Sequence, residues 1–260
     1  MGFLKTLDQR VFMRWQFIPY PDTGRWSRVQ EWLRGTIRDP AQHFEAATSR
    51  ECPCCGYSGR FVSAGQRKHR EHRCPNCKSR PRDRFLALLI AEYGIELERK
   101  RVLHFAPEWP LYNRLRRSET YVGADIKPRR NANAILDITH IDAPDHSFDV
   151  IICNHVLEHV PDDRRAMKEC RRVLARNGTA FFSVPIDTTM PHTWEPPPDM
   201  PEAEVEAKCG EDHKRLYGQD LVSRLAEAGF ECDCRRPEPD QIERYRLLPA
   251  DVFFVCCHQK

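Results

Sequence analysis

Two closely spaced pairs of cysteines are the first residues whose types and spacing indicate chemistry. Cys52 and Cys55 are separated by two residues, as are Cys74 and Cys77, and 18 residues lie between the two pairs. Two thiolates on one tight turn can reach the same tetrahedral ion, so this doubled pair predicts a structural zinc site. Cys54 could replace Cys52 or Cys55 as a ligand, but the two-residue spacing favours the set of four.

The segment 51–84 is therefore predicted to form a zinc-ribbon-like module. A zinc ion closed by four thiolates has no open position, so its expected role is to hold a fold. His69 and His72 lie between the pairs and could be ligands, but four cysteines already complete the site. Basic residues surround the cysteines, and they could contact phosphates, with RNA as a partner of residues 60–84, or dock on the rest of the chain. These basic residues are Arg67, Lys68, Arg70, Arg73, Lys78, Arg80, Arg82 and Arg84.

Imidazole and carboxylate side chains recur at two further places and indicate acid–base chemistry. His155, Glu158 and His159 follow an apolar run, and Asp212 and His213 follow a proline-rich segment. The first group has the H-x-x-E-H order of inverted zinc proteases, but that motif requires a long helix and a third ligand. Because these residues directly follow a predicted strand, we exclude the protease. We expect one of the histidines to take a proton from a hydroxyl.

From Arg101 onwards, short apolar runs alternate with helical patterns, which predicts a parallel sheet covered by helices on both faces. The predicted strands cover 102–105, 121–124, 148–153, 179–184, 230–234 and 252–257. The predicted helices cover 85–98, 111–117, 162–175 and 216–228, and Asn177 with Gly178 is expected to cap the third helix. The prolines between residues 188 and 201 predict a loop that could act as a lid.

The predicted organisation has three parts. A helical extension covers 1–50, the zinc-ribbon-like module covers 51–84 and an α/β domain covers 85–260. The extension could bind a membrane surface or a partner, but we favour packing of its apolar stripe on the body. Residues 1–84 carry 17 Lys and Arg against 8 Asp and Glu, whereas the remainder carries 24 against 30. This asymmetry suggests two modules with different partners.

Composition limits the classes of protein to consider. The chain has 260 residues, 40% of them hydrophobic and 30% charged, which is typical of a globular protein rather than a disordered one. No run approaches 18 apolar residues, so we expect no transmembrane segment. The first residues lack the apolar core of a signal peptide, and we therefore expect a cytoplasmic protein. In that compartment the twelve cysteines are expected to be thiols or metal ligands rather than disulfides.

Four segments line up with one enzyme family. They are residues 102–108, 121–125, 137–139 and 148–160, and the pattern continues to Pro185. Together they resemble class I S-adenosylmethionine-dependent methyltransferases of the type 11 group, over roughly residues 101–257. The resemblance implies a Rossmann-like sheet and S-adenosylmethionine as the cofactor, bound at the carboxyl ends of the strands.

The resemblance also implies a set of cofactor-binding residues. Asp125 would accept the ribose hydroxyls, and Asp137 with Ile138 would hold the adenine. The loop after the first strand would pass beneath the methionine part, and it lacks the glycines that are usual there. The complete predicted set is Ala106, Glu108, Asp125, Asp137, Ile138 and Asn154.

The acceptor is expected between the end of the fourth strand and the loop before residue 216. His155 and His213 are the predicted catalytic residues, with His155 as the base. The predicted substrate-binding residues are His159, Asp212, Arg215 and Tyr217. The first hypothesis is methyl transfer to a hydroxyl of a small molecule or glycan. One alternative is an RNA methyltransferase whose zinc ribbon binds the substrate, and the other is a non-catalytic adaptor with a degenerate cofactor fold.

Overall fold

The structure is a computed structural model that describes Leu33, residues 49–64 and residues 69–259. The predicted helical extension over residues 1–50 lies outside the described residues, apart from Leu33, Ser49 and Arg50.

A seven-stranded sheet forms the body of the molecule, and it confirms the predicted α/β class. The strands are β1 (Arg50–Glu51), β2 (Ser58–Gly59), β3 (Val62–Ala64), β4 (His69–Arg73), β5 (Val102–Phe105), β6 (Tyr121–Asp125), β7 (Ala134–Ile135), β8 (Phe148–Asn154), β9 (Leu174–Ser183), β10 (Phe230–Arg235) and β11 (Phe253–His258). The large sheet has the order β10-β11-β9-β8-β5-β6-β7. The chain builds β6 and β7 on one side of β5 and β8 and β9 on the other, so the topological switch point lies between β5 and β8.

The prediction of a wholly parallel sheet is wrong at one strand. β5 to β9 run parallel to one another, but β11 runs antiparallel to both β9 and β10. The start of β11 therefore lies at the same edge as the carboxyl ends of β8 and β9. This places residues 250–253 beside the edge where open α/β sheets bind ligands.

Helices cover both faces of the sheet because its strands are apolar on both sides. They are α1 (Pro81–Glu92), α2 (Trp109–Leu115), α3 (Asp163–Val173), α4 (Glu202–Cys209), α5 (Leu221–Glu227) and α6 (Pro239–Tyr245), with short 3-10 turns at Leu97–Arg99 and Leu157–His159. Leu103 and Ile151 pack with α3 and α5 on one face, whereas Val102 and Ile152 pack with α1 and α2 on the other.

Several predicted helix boundaries shift for local reasons. α1 begins at Pro81 rather than at 85, because Pro suits the first turn and the Asp83 carboxylate accepts the Arg80 backbone N–H at 2.8 Å. α5 begins at Leu221 rather than at 216, because Leu216 and Tyr217 pair with the backbone of residues 194 and 186. α4 and α6 were not predicted.

The predicted cap at Asn177 and Gly178 is wrong. α3 ends at Val173, and β9 runs directly through both residues. A Cβ on Gly178 would lie 2.9 Å from the carbonyl oxygen of Asp149 on β8. Glycine is therefore required here by the close approach of two strands and not by a helix terminus.

The cysteine-bearing segment folds as two turns with short hairpins. β1 pairs with β2 and β3 with β4. Each turn ends in a residue with positive φ, Gly56 at 70° and Lys78 at 68°, and backbone bonds run from Gly56 N to Cys52 O and from Lys78 N to Cys74 O. The two cysteine pairs thus adopt matching local conformations.

Arg84 connects this segment to the body. Its side chain is fully buried, with Nε donating to the Tyr245 carbonyl at 2.7 Å and Nη2 to the Arg246 carbonyl at 2.7 Å. Nη1 donates to the Ser79 carbonyl at 2.8 Å, and the guanidinium lies 4.6 Å from the centre of the Phe61 ring. For Arg84, docking on the same chain is therefore the role that the structure shows.

Two further contacts join β1 to α6. Arg50 Nη1 donates to the Glu243 carbonyl at 2.5 Å, and Arg244 Nη2 lies 2.8 Å from the Glu51 carboxylate. The cysteine-bearing segment therefore rests on α6 at more than one point.

The expectation that the cysteines are thiols or metal ligands is wrong for one pair. Cys232 and Cys256 form a disulfide, and the other ten cysteines are free thiols. The two residues are direct partners in the antiparallel register of β10 and β11, which brings their side chains together on one face. Across the described residues, the helices include none that is both long and apolar enough to cross a membrane.

Candidate functional site

Four thiols converge between the two cysteine turns. The Sγ atoms of Cys52, Cys55, Cys74 and Cys77 all lie within 4.8 Å of one another, with 3.5 Å between Cys52 and Cys77 and 3.7 Å between Cys55 and Cys74. A tetrahedral zinc with bonds of about 2.3 Å requires sulfur–sulfur edges of about 3.8 Å, so the arrangement fits that ion. The predicted ligand set comes together as one group.

Cys54 is not one of the four mutually close thiols. Its thiol donates to the Asp83 carbonyl at 3.4 Å and so points towards the start of α1. The geometry therefore agrees with the spacing argument against Cys54 as a ligand.

The loop after β5 takes the conformation of a glycine-rich turn without containing a glycine. Ala106 has φ 43°, in the left-handed region, and its N–H donates to the Ala124 carbonyl at 2.8 Å. On the facing strand, a Cβ on Gly123 would lie 3.1 Å from the Pro107 side chain. The absence of glycine in the loop is compensated by one on β6, which lets the two segments approach closely.

A buried polar chain crosses the switch point between β5 and β8. The Glu108 carboxylate bonds His104 Nε2 at 2.8 Å and accepts from the Asn154 side-chain amide, and Asn154 in turn accepts from Ser183. His104 also contacts the Tyr121 hydroxyl at 3.1 Å. Burial would raise the pKa of Glu108, but the hydrogen bond and charge of His104 lower it overall.

Two of the predicted cofactor residues, Glu108 and Asn154, are therefore bonded to each other. Their partners His104, Tyr121 and Ser183 were missed from the sequence. His104 and Tyr121 stand inside apolar strand patterns, which gave no sign that their polar atoms would meet at one edge of the sheet.

Asp125 ends β6 with a buried carboxylate that is only partly satisfied. The residue is 5% exposed, and Oδ1 accepts the Lys127 N–H at 3.2 Å. The exposed Arg129 places Nε 3.1 Å from Oδ2, yet in the described part of the chain Oδ2 receives no hydrogen bond of acceptable geometry. A buried acceptor without a donor is costly, so this oxygen is suited to a ligand hydroxyl.

Asp137 and Ile138 follow β7 on the same side of the switch point. Asp137 is exposed, and its Oδ1 accepts both the N–H and the hydroxyl of Thr139 at 2.8 Å. Ile138 is 5% exposed and belongs to the core. The turn therefore fixes the direction of the carboxylate next to an apolar side chain.

His155 directly follows β8 and faces a buried carboxylate. Its φ is 55°, and Nδ1 lies 3.1 Å from Oε1 of Glu158, which is 1% exposed. Within the described residues neither oxygen of Glu158 has a well-formed hydrogen bond. A carboxylate next to Nδ1 orients the imidazole and leaves the opposite nitrogen, Nε2, to accept a proton.

His213 lies on the other side of the same carboxylate. The rings of His159 and His213 meet edge to face at 4.7 Å, and Glu158, His159 and His213 offer ligand atoms within 4.8 Å of one another. This donor set is also of a type that can hold a divalent cation. Burial lowers the pKa of His213, which favours the neutral imidazole. Asp212 is exposed, and its carbonyl contacts His159 Nδ1 at 3.1 Å.

Arg215 and Tyr217, predicted to bind substrate, lie in the interior. Arg215 is 4% exposed, and its guanidinium donates to the carbonyls of Leu157, Val160 and Pro161. The hydroxyl of the fully buried Tyr217 donates to Asp163 Oδ2 at 2.7 Å. Both side chains hold the turn that carries Glu158 and His159.

The proline-rich segment 188–201 is held against the body. The Thr193 N–H and hydroxyl donate to Asp220 Oδ1 at 2.7 and 2.6 Å, and Trp194 pairs with the backbone of Leu216. Glu195 lies 2.7 Å from Arg224. This loop is therefore anchored directly beside His213.

The profile of a known protein family matches the central part of the sheet. The profile of a family described as "Methyltransferase domain" matches residues 111–182, which run from α2 to the end of β9. The match, together with the observed sheet, confirms the predicted fold, and the matched residues are similar to a methyltransferase domain.

Curated relatives match over short spans. A probable S-adenosylmethionine-dependent methyltransferase of Mycobacterium tuberculosis is 33% identical over 95 residues, 36% of this chain and 31% of the relative. A ubiquinone biosynthesis O-methyltransferase of Neisseria meningitidis is 40% identical over 42 residues, 16% of this chain and 18% of the relative. The chain thus spans less than a third of the length of these relatives.

One solved structure is similar to this chain at low sequence identity. The S-adenosylmethionine-dependent methyltransferase of Mesorhizobium loti is 16% identical, with a TM-score of 0.47, and the match covers 65% of this chain and 96% of that one.

Proposed function

We propose that this chain is an S-adenosylmethionine-dependent methyltransferase that modifies a hydroxyl of a small molecule or glycan. The observation that carries the proposal is the placement of Asp125, Ala106 and His155. They lie at the carboxyl ends of three neighbouring strands, around the switch point of a domain that matches methyltransferases. This is the edge where open α/β sheets bind cofactors.

The residues present fit the cofactor. The unsatisfied Oδ2 of Asp125 can accept a ribose hydroxyl, and Asp137 with Ile138 offers a carboxylate and an apolar contact to the adenine. The left-handed turn at Ala106 gives the backbone approach that glycine usually allows. When bound, the cofactor supplies an electrophilic methyl on a sulfonium, so the protein mainly has to position the acceptor.

His155 has the position of a general base. The Glu158 carboxylate lies 3.1 Å from Nδ1. Nε2 would take the proton that the acceptor hydroxyl loses when its oxygen bonds the methyl carbon and the bond from that carbon to the sulfonium sulfur breaks, which leaves a neutral thioether. The neutral state favoured for His213 suits it to positioning the acceptor rather than to carrying charge. Arg215 and Tyr217 act indirectly, since they fix the turn on which Glu158 lies.

The four thiols are proposed to hold one structural zinc. All four ligand positions are filled by cysteines, so the ion would hold the two turns together and leave the reaction to the body. Arg84 then joins this module to the body through carbonyls on both sides. The RNA alternative loses part of its support, because at least this basic residue is used for docking.

Methyl transfer should be measured with methyl-labelled S-adenosylmethionine and three acceptor pools: monosaccharides and glycans, phenols, and total RNA. The proposal expects label in a hydroxyl-bearing small molecule or glycan, and His155→Ala should reduce turnover about 10²–10⁴-fold while cofactor binding persists. Label that enters RNA alone would favour the alternative, and binding of cofactor without any transfer would favour the adaptor.

A further inference from the structure

A cavity opens at the carboxyl edge of the sheet, next to His155. Its volume is about 250 Å³, and it lies between the ends of β8 and β9 and the start of β11. Ser183 ends β9 and Val184 follows it, Asp251 precedes β11 and Phe253 begins it, and Arg82 comes from α1. Of these residues only Arg82 was considered from the sequence, as one of the basic residues that could contact phosphates.

The cavity contains polar groups that the protein itself does not satisfy. Nε of Arg82 and Oδ2 of Asp251 are buried atoms for which the described residues provide no hydrogen bond. Arg82 Nε lies 3.9 Å from Oδ1 of its neighbour Asp83, in an ion pair of poor geometry. Arg82, His155 and Asp251 all line the same cavity. Burial raises the pKa of Asp251, and the charges of His155 and Arg82 oppose this. Buried groups of this kind are normally paired, so a ligand is the expected partner.

The size of the cavity limits the ligand. A cavity of about 150 Å³ admits benzene, so 250 Å³ admits one six-membered ring with substituents and not a run of nucleotides. A guanidinium pairs best with a carboxylate or phosphate, whereas a carboxyl group such as Asp251 pairs with hydroxyls. Val184 and Phe253 give the ring an apolar wall.

We propose that this cavity binds the acceptor, as a single ring that carries hydroxyls and a carboxylate, with Arg82 and Asp251 as the residues that select it. The inference rests on the proposed function and names its acceptor class. Asp251 accepts from a ring hydroxyl, Arg82 pairs with the carboxylate, and the adjacent His155 faces the hydroxyl that becomes methylated.

The cysteine module then contributes directly to the acceptor site. Arg82 lies two residues before Arg84, which anchors α1 to the body, and three residues after Ser79, whose hydroxyl lies 3.2 Å from Cys52 Sγ. The thiol cluster therefore fixes the start of α1, and with it the position of Arg82. This gives the proposed zinc an effect on acceptor affinity without any part in the reaction.

Binding should be measured by saturation-transfer NMR on the full zinc-loaded chain, without methyl donor. The probes are glucuronate and 3,4-dihydroxybenzoate, each compared with a neutral counterpart, glucose and 3,4-dihydroxybenzamide. The two acids share the proposed chemistry and distinguish a sugar acid from a phenolic acid. The variants are Arg82→Ala and Asp251→Asn, with Arg99→Ala as a control, since the Arg99 side chain is 80% exposed on the same domain.

The wild type should bind at least one acid about tenfold more tightly than its neutral counterpart. Arg82→Ala should remove that preference, and Asp251→Asn should weaken the binding of the acid and of its neutral counterpart alike. Arg99→Ala should leave both the affinities and the preference unchanged. The proposal is overturned if neither acid binds, or if Arg82→Ala keeps the preference. S-adenosylmethionine affinity, measured separately, reports on the methyltransferase assignment, and both variants should retain it within about twofold.

Discussion

Replacing Arg84 should detach the cysteine module from the sheet and lower the stability of the whole chain. The guanidinium makes three short hydrogen bonds, to the carbonyls of Tyr245, Arg246 and Ser79, and its side chain is fully buried. In Arg84→Ala the three carbonyls lose the guanidinium as a donor, although the Ser79 carbonyl keeps the Cys74 N–H. A cavity replaces the side chain.

The expected cost follows from these contacts. A hydrogen bond to a charged group contributes about 1.5–3 kcal/mol, and bonds that share one side chain are not additive, so we expect a loss of about 3–5 kcal/mol. With a denaturant dependence of about 3 kcal/mol per molar urea, the unfolding midpoint should fall by about 1 M or more. Arg84→Lys keeps the charge but cannot reach three carbonyls at once, so its unfolding midpoint should lie between those of the wild type and Arg84→Ala.

Urea unfolding should be followed by far-ultraviolet circular dichroism and by reactivity of the cysteine thiols. The first signal reports on the body, and the second reports on Cys52 and Cys74, which are buried in the wild type. In Arg84→Ala the thiols should become reactive at a lower urea concentration than the one at which the helical signal is lost. Arg99→Ala serves as the control and should shift the midpoint by no more than about 0.2 M. A midpoint for Arg84→Ala as close to the wild type as that of the control would refute the docking role.

Two other predictions concern the cysteine module. Cys74→Ser should reduce bound zinc from one ion per chain to none, measured by elemental analysis, whereas Cys54→Ser should retain the ion; equal zinc content in the two variants would contradict the ligand set. Burial and the charge of Glu108 raise the pKa of Asp83 to about 7 from its ordinary 3.8, so the folded chain keeps a proton that the unfolded chain releases. Stability should therefore be lost as the pH rises from about 4 to 7, by up to roughly 4 kcal/mol, and Asp83→Asn should flatten this dependence in urea titrations at each pH. An unchanged slope in Asp83→Asn would exclude Asp83 as its source.

The strands of the body could be predicted from the sequence because burial on both faces leaves an unmistakable apolar run. β5 was predicted at its observed bounds, and β6 and β8 within one residue. β11 was predicted as a strand, but its antiparallel direction could not be, since a buried strand has the same composition in either direction. Gly178 shows a similar limit, because close approach of two strands and a helix cap both select glycine.

The candidate site was predictable where one segment carries the pattern and not where several segments meet. The two cysteine turns are local, so spacing alone identified the four thiols. Arg82 and Asp251 lie far apart in the sequence and meet only because β11 reverses direction. The burial of Arg215 and Tyr217 likewise follows from carbonyls around residue 160, whose positions no sequence pattern records.

The most direct measurement of the central claim is calorimetric titration of the full chain with S-adenosylmethionine and its demethylated product. The account predicts one site per chain, which Asp125→Ala weakens by about tenfold to over a hundredfold, as expected for the loss of bonds to a buried carboxylate. Asp145→Ala, which removes a carboxylate that is 66% exposed, should leave the affinity unchanged. A wild-type chain that binds neither compound, or an Asp125→Ala chain that binds as tightly as the wild type, would contradict the account.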